Sequence, residues 1–282
     1  MKDEEMNMDV LVSAVVLTYN SSDTVIETLE SIKAQTYSPL ELVICDDCSQ
    51  DETKSLIEEW LKENESRFYN VKRVYAEANT GLSGNMNRGL REASGKYIKY
   101  MAADDLLSPD AIEKYTEFAQ THDKVIPIAK VWLIAEDGKD VSSVQSYCEK
   151  CYMTAKENRE IQYKKMLFTN WIVACAADFF EKKVLLDLGG YDEHYRLIED
   201  YPMHMKLLKN GYSFGFIDAE LTGYRVSASS ITGSRAQELK RTEMKIFFRQ
   251  KFWYMFQNGM GWEAIKQTKY WLKIFFSIKK GQ

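Results

Sequence analysis

The chain has 282 residues, 45% of them hydrophobic and 28% charged, with only four prolines. That length suits one large domain with an appendage, or two small ones, and no stretch approaches the run of about 20 apolar residues that a membrane-crossing helix needs. The net charge of −5 is unevenly spread: residues 241–282 carry nine Lys or Arg against two Glu, which leaves the first 240 residues at −12. An acidic body argues against nucleic acid as a partner and sets a basic, aromatic tail apart.

The opening, Met1-Lys-Asp-Glu-Glu-Met-Asn-Met-Asp9, is acidic and has no apolar region, so it does not read as a signal peptide and a cytoplasmic protein is expected. Val10 to Thr18 is a near-continuous apolar run, the mark of a strand buried on both faces. Thr24-x-x-Glu27 reads as a capping box opening a helix to about Gln35. Leu40 to Cys45 is a second strand, and Ser49-x-x-Glu52 a second capping box before a helix to about Asn64. A third strand follows at Val71 to Ala76, a third helix at Ser83 to Ala93 and a fourth strand at Tyr97 to Met101. Strands and helices alternating at these lengths predict a parallel sheet with helices on both faces.

Beyond Pro109 the pattern loosens. A helix is expected over 110–120, a strand over 125–135 and a turn at Glu136 to Gly138. The polar stretch from Tyr147 to Glu160 reads as loop-rich. Helices are expected over 161–168 and 179–187, with a break at Gly189-Gly190, and again from Asp200 to Asn210, with Pro202 in the first turn and Gly211 at the end. Cys45-x-x-Cys48 and Cys148-x-x-Cys151 have the spacing of zinc half-sites, but Cys45 lies inside an apolar strand, so free thiols are the expectation. The odd count of five cysteines argues against a disulfide framework.

The most informative pair is Asp104-Asp105, at the carboxyl end of the fourth strand. Adjacent carboxylates are poor core residues, because burying unpaired charge is costly. They are well placed to hold a hard divalent cation in the crevice where open α/β sheets bind ligands. Such a cation would bridge phosphates.

The order of motifs then carries a resemblance. Val15-Val-Leu-Thr-Tyr-Asn20 ends the first strand, Cys45-Asp-Asp-Cys-Ser49 with Asp51 ends the second, and Asn79-Thr-Gly81 begins a loop. Ala103-Asp-Asp105 ends the fourth strand, and Glu199-Asp200 opens a later helix. From about residue 10 to 232 the chain resembles the inverting family 2 glycosyltransferases of the GT-A fold. That implies an α/β, Rossmann-like and mostly parallel central sheet flanked by helices, in a catalytic domain placed over 1–240; the amphipathic helical tail over 241–282 is read from its own residues.

What the resemblance implies about the site follows residue by residue. Thr18, Tyr19, Asp47 and Asn79 would line the nucleotide of a nucleotide-sugar donor, Tyr19 packing on the base and Asp47 accepting from the uracil N–H. The alternative for Asp46, Asp47 and Ser49 is a cap on the next helix. Asp105, with Asp104 beside it, would hold Mn²⁺ or Mg²⁺ on the diphosphate, the ion acting as Lewis acid and template. Asp200 would be the general base that takes the acceptor hydroxyl's proton, with Glu199 orienting the acceptor. The alternative for Asp200 is an acidic helix start.

Three departures stand out. Ala102 replaces the first carboxylate of the family's aspartate motif. Met86 stands where an arginine or lysine usually serves the phosphates, leaving Arg88, Arg91 or Arg225 as substitutes. Ser227 stands where a histidine often adds a metal ligand. His204 reads as a packing or pocket-wall residue, and Trp171 and Cys175 either line the acceptor side or fill the core.

In the tail, apolar residues recur three to four apart from Met244 through Phe248, Phe252 and Trp271 to Phe275, interleaved with Lys and Arg. This marks amphipathic helices. They either lie on an anionic membrane surface or pack on the catalytic domain or on the second subunit of a homodimer. The function expected is transfer of a sugar from a UDP-sugar to a hydroxyl of a glycan or lipid-linked acceptor. The other classes considered are a non-catalytic nucleotide-sugar-binding subunit and a pyrophosphorylase, which would want a Gly- and Arg-rich loop where Thr18-Tyr-Asn-Ser-Ser22 stands. A dinucleotide oxidoreductase lacks its G-x-G-x-x-G.

Overall fold

The computed structural model describes residues 10–135, 140–168, 177–196, 198–226 and 236–280. The acidic opening and the turn expected at Glu136 to Gly138 lie outside these. The main sheet has the order β3-β2-β1-β4-β7. Its parallel strands are β1 (Val12–Thr18), β2 (Leu40–Asp46), β3 (Asn70–Tyr75) and β4 (Tyr97–Ala102), with the short antiparallel β7 (Phe180–Glu181) at the edge. Every residue of β1 and β2 is buried, as continuous apolar strands require when both faces are covered.

The two faces carry different helices. Val12, Ala14 and Val16 point toward α1 (Val25–Lys33), α2 (Thr53–Asn64) and α4 (Ala111–Thr121), where Leu29, Ile57 and Tyr115 complete one core. Val15 and Leu17 point the other way, toward α3 (Leu82–Glu92) and α7 (Lys182–Asp187), into a second core that reaches α8 (Asp200–Lys209). Each fully buried aliphatic side chain in such a sandwich contributes about 1.5–3 kcal/mol of transfer free energy.

Neither expected capping box forms. The Thr24 hydroxyl donates to the Ala103 carbonyl at 2.7 Å, and the Ser49 hydroxyl turns to Asp46. Both hydroxyls tie strand-end loops together rather than satisfying their own helix starts.

A second sheet, β5-β8-β6, abuts the first. It joins β5 (Leu106–Leu107) to β8 (Ser213–Val226) antiparallel, and β8 to β6 (Val125–Ala135) parallel. β8 is not evident from local pattern, because glycines and acids interrupt its apolar residues. Gly223 is one of them: a Cβ there would come within 2.5 Å of the Trp132 ring on β6. The stretch from Tyr147 to Glu160 is not loop-rich. It lies mainly in α5 (Ser142–Ala155) and the start of α6 (Arg159–Phe168), with Cys148, Cys151 and Tyr152 as the buried stripe that periodicity under-weighted.

The tail is helical: α9 (Ala236–Ile246), a π-helical turn at Phe247–Lys251, α10 (Phe252–Gln257) and α11 (Gly261–Lys280). The boundary expected at residue 240 falls inside α9. Ile246, Phe247, Met255, Ala264 and Trp271 are buried in the same core as α3 and α8. Lys251, 2% exposed, sets its ammonium 4.4 Å from the centre of the Tyr201 ring, next to Asp200 in sequence.

Candidate active site

The carboxyl ends of β1 and β2 are laced together by polar side chains. Asp46, fully buried, accepts from the Thr18 hydroxyl at 2.8 Å and from the Ser49 N–H at 2.9 Å. Thr18 is itself buried and aims inward, so it braces this turn. Tyr19, by contrast, projects outward and is 47% exposed, an open aromatic platform at the sheet edge. Asp51 accepts from the Thr53 and Ser22 N–H groups at 3.1 Å. Burial opposes its charge, yet these bonds and those of the hydroxyls outweigh it and bring its pKa down to about 2.

Asp47 is bound on several sides. Its carboxylate accepts from the Thr80 N–H at 3.0 Å, the Thr80 hydroxyl at 2.9 Å and the Gly81 N–H at 2.8 Å, and pairs with Arg88. Gly81, at φ +82°, takes the left-handed conformation that aims this N–H. Asn79 caps the same loop, its Oδ1 and carbonyl accepting from Arg196 at 2.9 and 3.1 Å. Arg88 is therefore committed to Asp47, Thr80 and Asn85 and does not stand in for the missing arginine at Met86. Met86 is a buried pocket wall, and Arg91 is exposed.

Beyond β4 the chain turns through Asp104 and Asp105. Asp105 is 4% exposed, and its Oδ1 accepts the Arg225 N–H at 3.0 Å. The Arg225 guanidinium reaches the Asp104 carbonyl at 2.9 Å and pairs with Glu27. The long strand β8 thus delivers Arg225 to the aspartate pair across 120 residues of sequence. Burial, and then the charge of Asp104, push the Asp105 carboxyl up to about 8. A dication would offset both the burial of the charge and that repulsion, and carboxylate oxygens are the donors Mg²⁺ and Mn²⁺ prefer. Among the described residues no third His, Cys, Asp or Glu joins them, so phosphate oxygens and water would complete the coordination.

Glu199 and Asp200 open α8, each 6% exposed, and face a cavity shared with Met86, Tyr100, Asp178, Tyr191 and His204. Burial raises the Asp200 carboxyl to about 6, with the nearby His204 charge holding it down. Glu199 is pushed well above its ordinary range by burial and by the Asp200 charge. A carboxylate titrating near neutrality at a cavity wall suits proton acceptance.

Sequence reasoning missed Asp178 as a site residue; His204, expected as a packing or pocket-wall residue, lines this cavity and pairs with Asp178 there. The available signal was a lone charge inside the apolar run Ala177-Asp178-Phe179-Phe180. Trp171, Cys175 and Ser227 lie outside the described residues.

Residues 13–187 match the family model described as glycosyl transferase family 2. The chain belongs to that family. Over 238 residues the transferase is 31% identical to the UDP-Glc:alpha-D-GlcNAc-diphosphoundecaprenol beta-1,3-glucosyltransferase WfaP of Escherichia coli, covering 82% of this chain and 83% of that one. It is 26% identical over 236 residues to the putative teichuronic acid biosynthesis glycosyltransferase TuaG of Bacillus subtilis (strain 168), covering 84% and 87%. Among solved structures, the Pyrobaculum calidifontis mannosyltransferase PcManGT superposes with a TM-score of 0.65 at 18% identity, over 97% of this chain and 79% of that one. S. aureus TarS 1-349 gives 0.65 at 19% identity over 83% of this chain. The transferase spans 40–65% of the TarS chains it matches. These likenesses establish the GT-A fold.

Proposed function

We propose that this transferase moves a hexose from a UDP-sugar to a hydroxyl of a lipid-linked glycan in surface polysaccharide synthesis, with inversion at the anomeric carbon. The observation that carries the reading is Asp200: a buried carboxyl fixed at a helix start, at the wall of a cavity, where burial raises its pKa to about 6. The acceptor oxygen attacks the anomeric carbon from the face opposite the diphosphate. As that bond forms and the bond to the diphosphate breaks, the acceptor's proton passes to Asp200. Glu199, whose carboxyl is pushed upward by burial and by the Asp200 charge, is placed to orient the acceptor.

Tyr19 offers the base a stacking surface, and the Asn79–Gly81 loop, tied to Asp47, forms the floor beside it. Asp104 and Asp105 would hold Mn²⁺ or Mg²⁺, which when bound neutralises the departing diphosphate. Arg225 adds a fixed positive group beside them.

A UDP donor and a lipid-linked diphosphate acceptor are supported by likeness to WfaP, whose name carries both, and a UDP-GlcNAc complex is known for TarS. The PcManGT complex holds GDP-Man and Mn²⁺, so GDP-sugars are the competing donor class. Thermal shift against UDP-, GDP- and CMP-sugars with Mn²⁺ decides between them. Transfer from UDP-glucose to a GlcNAc-diphosphate lipid then tests the acceptor.

The tail supports a membrane-surface site for this reaction. No described helix is long and apolar enough to cross a membrane. Yet Trp253, Phe256, Trp262 and Phe276 are each more than half exposed among lysines and arginines. Such a face inserts aromatic rings at the headgroup level of an anionic bilayer.

A further inference from the structure

The reading above uses Asp200 and Glu199 but gives His204 and Asp178 no part. His204 lies four residues after Asp200, so the two side chains leave the same face of α8. Its Nε2 is 2.8 Å from Asp178 Oδ2, and the two residues are 2% and 5% exposed. The ring is held by Phe214, edge-on with centroids 5.0 Å apart. Asp178 is anchored by its backbone, which bridges to Ile128 and takes the Lys99 ammonium on its carbonyl at 3.0 Å. Its other oxygen, Oδ1, is buried with no hydrogen-bond partner among the described residues. Asp178 and Asp200 therefore both act on one imidazole, with Glu199 on the wall of the same cavity. A buried carboxylate is costly unless paired, and His204 is the partner that Asp178 has.

We propose that the Asp178–His204 pair is the positioning device of the base: Asp178 holds His204 as an imidazolium, and that charge keeps Asp200 ionised and ready to accept a proton. The proposal rests on the assignment of Asp200 as the base. The electrostatics agree with the geometry. Burial disfavours a charged His204, but the charge and hydrogen bond of Asp178 reverse this and raise its pKa. The groups facing the ring are Asp178 from the segment before β7, and Glu199 and Asp200 from the start of α8. Tyr191 from the loop between α7 and α8, and Tyr100 from β4, complete the polar walls. The imidazolium thus acts on two carboxyl groups, Asp178 bonded to it and Asp200 through space, while burial and the Asp200 charge raise the pKa of Glu199.

The chain has only three histidines, and His122 and His194 are exposed, so ring-nitrogen NMR titration of the full protein resolves His204 directly. The expected result is a His204 imidazolium that persists to higher pH than the about 6.5 of an ordinary histidine side chain. Asp178→Asn should bring the His204 midpoint down. In His204→Asn and His204→Gln, the Asp200 carboxyl midpoint, assigned with Asp200→Asn, should rise by at least about one pH unit. That is about a tenfold loss of ionised base below the midpoint. The acid limb of kcat/KM with UDP-glucose should move with it, while UDP affinity is retained. A wild-type His204 titrating at or below about pH 6.5, or an Asp200 midpoint unmoved in both His204 variants, overturns the proposal. If Asp200→Asn keeps transferring sugar, the base assignment has failed, and the proposal built on it falls with it. If Asp200→Asn is dead and His204 is neutral, only the proposal fails.

Discussion

Arg88 on α3 pairs with Asp47 just beyond β2, while the same carboxylate takes the N–H groups of Thr80 and Gly81 at 3.0 and 2.8 Å. The side chains are 17% and 4% exposed, so the pair is largely shielded from solvent. One contact thus fixes the depth of the donor loop against the sheet.

Removing one partner of a buried pair leaves the other uncompensated. Arg88→Ala should cost about 3–5 kcal/mol in urea unfolding and weaken UDP binding. Arg88→Lys should recover part of each. An unfolding midpoint equal to wild type would show that the pair contributes nothing.

UDP binding should depend on a divalent cation through Asp105. Titration calorimetry with and without Mn²⁺ should show metal-enhanced affinity in wild type and none in Asp105→Ala. Equal affinity in all four measurements would remove Asp105 from metal binding.

Asp200→Asn should keep donor binding and slow transfer by about 10²–10⁴-fold, the usual cost of losing general-base assistance. In wild type, the rate should fall as pH drops through about 6, because burial raises the Asp200 pKa and protonation removes the acceptor for the proton. A transfer rate near wild type in Asp200→Asn would pass the role to Glu199.

The tail has two sides, so deleting residues 241–282 is a poor test of membrane binding. Trp271, 6% exposed, fills the shared core, and Trp271→Ala should cost about 3–5 kcal/mol. Trp253→Ser with Trp262→Ser touches only exposed rings, 64% and 62%. That double variant should keep the wild-type melting temperature and lose sedimentation with anionic liposomes. Undiminished sedimentation would mean these rings do not meet the bilayer.

Burial lowers the Lys251 pKa to about 7, against about 10.4 in an unfolded chain. Between those values the unfolded state binds more protons, so this group makes stability rise with pH, by up to about 1.4 kcal/mol per unit. Below about pH 7 its cost is fully present. Lys251→Met should flatten that slope and gain most in mildly acidic buffer. A wild-type unfolding free energy that does not rise across this range would place the ammonium in solvent.

Local pattern alone determined the alternating half of the fold. A strand buried on both faces writes itself as a near-continuous apolar run, as β1 does, and β2 and β4 follow it apart from Glu41 and Lys99. Asp104-Asp105 stood out as paired charge after an apolar strand, whereas Glu199-Asp200 stood out only by resemblance to a family motif, because acids are ordinary at a helix start. The amphipathic tail was also visible, but which rings would be buried was not. Phe247 and Trp271 go inside and Trp253 and Trp262 outside, because the tail packs against α6 and α8 on one side only. What tertiary structure alone decided are pairings across long sequence gaps. Arg88 meets Asp47 41 residues away, and Arg225 meets Asp105 across 120. His204 meets Asp178, 26 residues back, through a segment whose sequence reads as plain core. Hydrophobic periodicity reports which face a residue takes, whereas a buried charge finds its partner only after the strands have set their order, so those residues carry no local trace of it.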